Sequence, residues 1–325
     1  MSDAFVGQGI GEEPSPLLTG PRPPAFDLSG TRSRRGSERV IGVVLFLCAA
    51  MSVLTTLGIV AVLIEQAVEF FIDVPIWEFL FGLRWTALFN NPHFGVVPLV
   101  TGTLLISLIA MFVAIPLGLM SAIYLSEYAH GTVRDILKPA LELLAGIPTI
   151  VYAFFALTFI RPTLLEPLFP SIDSFNALAA GLAVGIMIVP LIASLSEDAM
   201  RSVPRSLREG GFAIGATSLE VSTRIVFPAA FSGIVASCIL AFSRAIGETM
   251  IVALAGGSKP QLTANPLHEV QAMTGYIVQV FTGDVSTGST PFRSLFAVGL
   301  LLFVLTLAMN ILSQWLVRRF REVYE

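Results

Sequence analysis

The chain has 325 residues, of which 54% are hydrophobic and only 13% are charged, with a net charge of −4. An ordinary soluble domain carries about 25% charged residues, so the composition excludes a globular soluble enzyme and indicates a protein that crosses a membrane several times. The net charge identifies no partner, because in a membrane protein the position of each charge matters more than the sum.

The first 38 residues differ from the rest of the chain. Proline, glycine, serine and charged residues dominate this stretch, and it has no apolar periodicity. Such a composition cannot form a packed core, so we expect a flexible tail at 1–38. The long polar stretch before the first apolar run also argues against a signal peptide.

Six apolar runs follow the tail, each long enough for the roughly 20 helical residues that a bilayer core requires. They predict an all-α polytopic membrane protein with about six transmembrane helices. The predicted spans are approximately 40–64, 97–124, 139–160, 176–196, 229–254 and 294–317.

Two connections between spans carry apolar patterns of their own. The aromatic-rich stretch with Trp77 and Trp85 predicts an interfacial helix along the outer surface, which would complete a segment at 39–95. The last external connection predicts a short amphipathic helix, because apolar residues recur there at helical spacing. These residues are Val270, Met273, Ile277, Val280 and Phe281.

The distribution of Lys and Arg predicts the orientation. Only Arg84, Arg161, Lys259 and Arg293 fall on one side of the predicted spans. Because cytoplasmic flanks are enriched in Lys and Arg, we expect the other side to be cytoplasmic, with both termini in the cytoplasm, the C-terminal segment 318–325 included. The basic residues on that side are Arg22, Arg32, Arg34, Arg35, Arg39, Arg134, Lys138, Arg201, Arg205, Arg208, Arg224, Arg318, Arg319 and Arg321. Within this set, Lys138 is predicted to pair with Glu142 at the membrane interface.

The cytoplasmic loop 197–228 alternates apolar and charged residues in two short stretches, with Gly215 between them. Glycine permits a sharp turn that other residues resist. The pattern therefore predicts a short helix–turn–helix on the membrane surface. An amphipathic surface loop without a partner is the alternative.

The spacing of residues in this loop resembles the "EAA…G…I-LP" loop of permease subunits in bacterial ABC importers. Every spacing is met, although two glycines replace the two alanines and a phenylalanine replaces the leucine. In that family the loop forms a coupling helix that enters a cleft of the ATPase subunit. The residues to which the resemblance assigns ATPase coupling are Glu209, Gly210, Gly211, Gly215, Ile225, Phe227 and Pro228.

The resemblance extends from about residue 40 to the C-terminus. The stretches 94–129, 137–157 and 243–257 are similar to the phosphate-specific permease subunits, of the PstC type more than the PstA type. The resemblance implies the type I ABC importer permease architecture in a core at 96–317, and a place in the cytoplasmic (inner) membrane. It further implies a heterodimer with a PstA-like permease, a PstB-like ATPase dimer, an external PstS-like phosphate-binding protein and contact with membrane lipid.

The chain lacks the sequence features of an ATPase or a metalloenzyme. No GxxxxGK[ST] motif occurs, and the three histidines are isolated from other metal ligands. We therefore expect no cofactor, no metal, no catalytic residue and no nucleic-acid partner for this chain. ATP and Mg²⁺ are expected on the partner ATPase.

The stretch "AFSRAIGETMIVAL" places two charged residues inside the fifth apolar run. Arg244 and Glu248 are four residues apart, so they lie on one helical face and can pair. Ionisable residues inside a membrane are expensive and are functional candidates. We assign Arg244, Glu248, Ser243 and Thr249 to a substrate path, in which arginine suits an oxyanion such as phosphate.

Four alternatives remain open from the residues. The charged pair could be a structural ion pair that locks two helices. The substrate could be another oxyanion, such as sulfate, molybdate or phosphonate. A stand-alone secondary transporter or channel would not need the 197–228 loop. A purely structural membrane scaffold would give no reason to retain the charged pair.

Overall fold

The computed structural model describes residues 32–320, which form twelve helices and one isolated β-bridge. In chain order the helices are α1 (Arg32–Asp73), α2 (Ile76–Phe81), α3 (Val97–Ile123), α4 (Gly131–Ala145), α5 (Thr149–Leu165), α6 (Ala177–Arg201), α7 (Arg205–Ala213), α8 (Ser218–Ala229), α9 (Phe231–Ile246), α10 (250–256), α11 (Met273–Thr282) and α12 (Thr290–Phe320).

The described residues divide into two units, with the boundary between Ile59 and Val60 inside α1. In the first unit the described residues all belong to α1, which begins at Arg32. The end of the predicted tail is therefore helical, because its Arg and Glu residues are good helix formers next to an apolar run. The rest of the predicted tail lies outside the described residues.

Six membrane spans are present if each of two bent helix pairs counts as one span. Four single helices are long and apolar enough to cross a membrane: α1, α3 with its extension to Tyr128, α6 and α12. The predicted span 139–160 is not one straight helix, because α4 and α5 meet at 86°. Pro148 lies at this bend and disfavours helical backbone in the residue before it. The second bent pair, α8 and α9, meets at 72°.

The core of the second unit is the contact between α3 and α6. Small residues allow the two backbones to approach closely, as is common between helices in membranes. A Cβ atom on Gly181 would lie 2.6 Å from Cβ of Ile109, and one on Gly185 would lie 3.0 Å from the Ala110 carbonyl oxygen. The position of α6 against α3 therefore depends on these two glycines.

An aromatic cluster fills the region between α2, α3 and α11, and it corrects one prediction. Trp77 is 74% exposed, as an interfacial residue should be, but Trp85 is only 2% exposed. The expected interfacial helix is only the six residues of α2, and the chain then folds back so that Trp85 forms a β-bridge with Phe94. The Trp85 ring contacts Tyr276 of α11, with ring centroids 4.8 Å apart.

The short helix predicted in the last connection is confirmed as α11. Three of its residues, Met273, Tyr276 and Val280, are buried in the aromatic cluster. Phe281, which was also predicted to belong to the apolar face, is exposed at the end of the helix. The apolar face is therefore shorter than the sequence suggests.

The beginning of α6 is tied to the connection that precedes α11. The Asn176 side chain accepts a hydrogen bond from Ala179 N–H at 2.7 Å and caps the helix. The next N–H groups donate to loop carbonyls, Ala177 to His268 at 3.1 Å and Leu178 to Pro266 at 2.8 Å. Asp173 Oδ2 accepts from Glu269 N–H at 3.0 Å, and this bond lowers the pKa of the Asp173 carboxyl.

Candidate functional site

The predicted span 229–254 is interrupted beside Arg244. Helix α9 ends at Ile246, and α10 begins at residue 250. Gly247 has a low helix propensity, and Glu248 accepts the N–H of Met250 at 3.2 Å through its side chain, as a residue that starts a new helix does. Gly247 within the predicted span predicts a kink; the structure instead has a full break there, and the charged pair lies across it.

The predicted contact between Arg244 and Glu248 is confirmed, but it is long. Arg244 Nη1 lies 3.8 Å from Glu248 Oε2, and their side chains are 53% and 3% exposed. The backbone N–H of Met250 lies closer to the Glu248 carboxylate than the guanidinium does. Glu248 is therefore held mainly as a buried helix cap, and most donors of Arg244 remain available to another anion.

The two predicted hydroxyl residues flank the break without contacting the charged groups. Thr249 Oγ1 donates to the Gly247 carbonyl at 3.3 Å, and the Ser243 carbonyl accepts the Gly247 N–H at 3.2 Å. Thr274 of α11 was not predicted, and its hydroxyl donates to the Glu248 carbonyl at 2.7 Å. This bond connects α11 to the break.

The 197–228 loop contains the predicted helix–turn–helix. Gly215 has a φ of 87°, a left-handed conformation that favours glycine, and it lies between α7 and α8. Thr217 and Glu220 form a capping box at the start of α8: the Thr217 hydroxyl accepts the Glu220 N–H, and the Glu220 carboxylate accepts the Thr217 N–H. The turn and the second helix are thus determined locally by the sequence.

The remaining residues that match the coupling pattern have different surroundings. A Cβ on Gly211 would lie 2.6 Å from Ile225 Cδ1, whereas one on Gly210 would meet nothing within 4 Å. Gly211 therefore permits the packing of α7 against α8, and Gly210 has no such steric role. Phe227 contacts Phe231 across the α8–α9 bend, with ring centroids 6.5 Å apart. The positions with exposed side chains are Glu209 and Pro228.

Arg208 fixes the loop to two other helices, and sequence reasoning missed this role. Its guanidinium donates to the carbonyls of Val203 at 2.6 Å and Met200 at 2.7 Å, at the end of α6. It also lies 3.1 Å from Glu127, in the extension of α3. Arg208 therefore connects α7 to both α3 and α6. No short sequence pattern predicts this contact, because Arg208 and Glu127 are 81 positions apart.

A buried carboxylate fixes α4 to α6. Glu197 is fully buried and lies 2.6 Å from Arg134 Nη2 and 2.7 Å from Lys138 Nζ. Lys138 also contacts Asp198 at 2.5 Å. The predicted pairing of Lys138 with Glu142 is wrong, because Lys138 points toward α6 rather than along its own helix.

The loop also presents apolar side chains outward. Ile214 is 86% exposed, and Leu219 and Phe212 are exposed beside it. Three large apolar residues around one glycine turn form the kind of surface patch that proteins use for partners. We call this group the loop patch.

Residues 114–322 match the family described as the binding-protein-dependent transport system inner membrane component. This match includes the 197–228 loop and the helix break. The chain belongs to this family. It is a permease subunit of an ABC importer and a multi-pass inner-membrane protein, and it is not an enzyme: the ATPase activity lies in a separate subunit. The family also implies an external substrate-binding protein as a partner.

Several relatives match the permease along most of its length. A probable ABC transporter permease protein, YqgH of Bacillus subtilis, is 32% identical over 296 residues, which cover 90% of this chain and 95% of the relative. The phosphate transport system permease protein PstC of Mesorhizobium japonicum is 32% identical, with 83% and 87% covered. PstC 1 of Mycobacterium tuberculosis is 33% identical, with 70% and 73% covered.

Solved structures with the same fold include ABC importers. An inward-facing MetNI methionine ABC transporter matches with a TM-score of 0.52 and 18% identity, over 70% of this chain and 95% of that chain. An amino acid ABC transporter matches with a TM-score of 0.50 and 16% identity, over 69% and 92%. The permease therefore has the fold of ABC importer membrane subunits, as its helix order and bent spans suggest.

Proposed function

We propose that this permease subunit translocates inorganic phosphate across the cytoplasmic membrane, with Arg244 as the residue that contacts the anion. The observation that most supports this proposal is the position of Arg244, whose half-exposed guanidinium lies at a helix break within a candidate membrane span. Several PstC phosphate permeases among its relatives support phosphate as the anion.

The exposed side chain of Arg244 cannot face lipid without a cost in free energy. The residue lies about 20 Å along α9 from Phe231, at 1.5 Å per residue, and so is distant from that end of the span. A charge exposed to lipid at such depth costs at least about 2.5 kcal/mol. The face of α9 that carries Arg244 therefore faces another protein or a water-filled path. A second, PstA-like permease would supply the other wall of that path.

The opposite charges of Arg244 and Glu248 at the helix break favour an anion that binds and is then released. Guanidinium donates two parallel hydrogen bonds to an oxyanion, and phosphate requires such a partner when it loses water. Glu248 is retained by its own helix-capping bond, so an anion need not displace it to reach Arg244. Its negative charge beside the site weakens anion binding, which favours release. Ser243 and Thr249 are proposed as hydroxyl contacts of the hydrated anion.

Coupling to ATP is proposed to occur through the 197–228 loop. The loop patch would enter a cleft of a PstB-like ATPase, which binds ATP and Mg²⁺. Movement of α7 would reach α3 and α6 through Arg208. It would reach the Arg244 break through α8, the second helix of the loop, and α9, which follows α8 directly. A PstS-like binding protein would deliver phosphate on the opposite side, and both termini would lie in the cytoplasm, as the basic residues predict.

The substrate is tested with the assembled importer in proteoliposomes that contain ATP on the ATPase side. We expect ATP-dependent uptake of labelled phosphate that unlabelled phosphate abolishes and a tenfold excess of sulfate, molybdate or methylphosphonate leaves nearly unchanged. Uptake of one of these other oxyanions without phosphate uptake would replace phosphate as the substrate. Uptake that is independent of ATP would contradict the importer mechanism as well.

A further inference from the structure

Four arginines line one cavity beside the 197–228 loop. The cavity has a volume of about 510 Å³ and lies between the end of α3, the start of α4, the end of α6 and α7. Several guanidinium groups around one concave site raise the local concentration of anions. The arginines are Arg134, Arg201, Arg205 and Arg208.

Protein carboxylates satisfy only two of these guanidinium groups closely. Arg208 pairs with Glu127 and Arg134 pairs with Glu197, as described above. Even so, the Nε atom of Arg134 is buried without a hydrogen-bond acceptor among the described residues. The free donors of the cavity must therefore come from the other guanidinium nitrogens.

The other two guanidinium groups are nearly free. Arg201 has only a 3.9 Å contact with Glu197, a carboxylate that already accepts from two other side chains. Arg205 forms no ion pair within the described part of the chain, although Glu209, one turn further along α7, also lines the cavity. The cavity thus retains guanidinium donors from α4, α6 and α7 for an anion.

An apolar groove lies next to this cavity and shares one lining residue with it. It has a volume of about 350 Å³ and lies between α3 and α4, and Leu125 lines both spaces. The groove is lined by Met120 and Tyr124 on one side and by Leu137 and Leu141 on the other. The groove residues on the α3 side lie within the candidate span Val97–Tyr128, and the arginine cavity lies at the end of that span.

We propose that the cavity and the groove together bind one anionic phospholipid. Its phosphate group contacts the four arginines, and an acyl chain occupies the groove. A positive polar end joined to an apolar channel matches the charge and the shape of such a lipid, and guanidinium is suited to bidentate contact with phosphate. The bound lipid would link α7 to α4 and α6, so the position of the coupling loop would depend on the anionic lipid. This inference is independent of which anion the importer transports.

Lipid retention by the detergent-purified importer complex tests the proposal. Native mass spectrometry would compare added phosphatidylglycerol with phosphatidylcholine of the same acyl chains. We expect the complex to retain phosphatidylglycerol at least about tenfold more strongly, because the quaternary ammonium of phosphatidylcholine is repelled by the four guanidinium groups, whereas the glycerol headgroup carries no positive charge. Equal retention of the two lipids would overturn the proposal.

Two sets of variants distinguish this site from general surface charge. The double variant Arg201→Gln, Arg205→Gln should lose about tenfold in phosphatidylglycerol retention, because it removes the two least-paired arginines. The matched double variant Arg318→Gln, Arg319→Gln removes two exposed arginines at the end of α12 and should retain the lipid. Equal losses in both double variants would reduce the effect to surface charge and contradict the site.

A groove-filling variant distinguishes a lipid from free phosphate. Leu141→Trp places a larger side chain in the groove without altering any charge, and it should lower phosphatidylglycerol retention by about tenfold. Inorganic phosphate at the same concentration should not displace the lipid from the wild-type complex. Displacement by inorganic phosphate, with no effect of Leu141→Trp, would show a free-anion site and overturn the lipid assignment.

Discussion

Glu197 is a fully buried carboxylate that neutralises two cations on α4. Replacing it by Gln leaves Arg134 and Lys138 without their shared partner in a mostly buried position. Breaking a buried ion pair by removing one member destabilises proteins by about 3–5 kcal/mol. We therefore predict that Glu197→Gln lowers the free energy of unfolding by about 3 kcal/mol, measured by denaturant unfolding of the purified permease.

The neighbouring carboxylate provides the control for this prediction. Asp198 contacts the same Lys138 amine, but its side chain is 58% exposed. An exposed ion pair contributes about 1 kcal/mol or less, so Asp198→Asn should change the free energy of unfolding by less than that amount. If the two substitutions had equal effects, the buried ion pair would not be what holds α4 to α6.

Gly215 is the second residue for which local geometry makes a sharp prediction. Its φ of 87° disfavours any side chain, although nothing lies within 4 Å of a Cβ placed there. A β-branched residue in this conformation costs about 1–2 kcal/mol. We predict that Gly215→Val distorts the turn and weakens ATPase association about tenfold, measured by co-purification of the ATPase, while membrane insertion is unchanged.

Gly288 is the matched control for Gly215. It has a φ of 84° and equally open surroundings, but it lies in the connection before α12, outside the 197–228 loop. Gly288→Val introduces the same backbone strain away from the loop patch and should leave ATPase association unchanged. Loss of the ATPase in both variants would indicate general destabilisation and would remove the support for docking through this loop.

At the scale of elements, the stability of the hydrogen-bonded start of α6 is expected to depend on pH. The pKa of Asp173 is lowered in the folded protein, first by the hydrogen bond from Glu269 N–H and also by His268. The stabilisation is therefore present above the ordinary aspartate pKa of about 4, and it is lost as the pH falls through the lower folded value. We predict faster amide exchange in 266–270 as the pH falls below about 4, after correction for intrinsic exchange rates.

Asp173→Asn tests whether this carboxylate is responsible. The variant should show faster amide exchange in the same segment already at neutral pH, and acidification should then add little. The neighbouring variant Ser174→Ala, which leaves the carboxylate intact, should behave as the wild type. A pH response that persists in Asp173→Asn would assign the effect to another group.

The elements that were predictable from sequence are those determined by neighbouring residues. The turn at Gly215 follows from a glycine between two amphipathic stretches, and the Arg244–Glu248 contact follows from spacing. Gly247 predicts a kink in the apolar run, but the full break does not follow from the glycine alone, because it depends on a glutamate that caps a new helix. The local signal for it is a glycine followed directly by a capping carboxylate.

Contacts between distant segments could not be read from the sequence. Lys138 pairs with Glu197 rather than with Glu142 because of the way α4 turns against α6, which no local pattern encodes. Trp85 is buried because Tyr276, far along the chain, completes its cluster. Of the two tryptophans predicted to lie at the membrane interface, only Trp77 is exposed. These two wrong predictions both concern tertiary packing. The resemblance of the loop was nevertheless sufficient to identify the class of protein.

At the scale of the whole molecule, three sites lie along one structural path. The loop patch is the proposed ATPase contact, and Arg208 connects the loop to α3 and α6. The second helix of the loop, α8, leads directly into α9, which carries Arg244. The three sites use different chemistry: apolar contact, charged hydrogen bonds and an exposed guanidinium at a helix break. The proposed transport cycle requires all three to move together.

The role of Arg244 as the anion contact is tested most directly by ATP-dependent uptake of labelled phosphate in proteoliposomes that contain the assembled importer. Arg244→Gln removes the charge but keeps a polar side chain of similar length, and assembly and ATP binding serve as internal controls. We predict that the variant assembles and binds ATP as the wild type does, while phosphate uptake falls at least a hundredfold, as expected for the loss of charged hydrogen bonds to the anion. Wild-type uptake by Arg244→Gln would contradict this account.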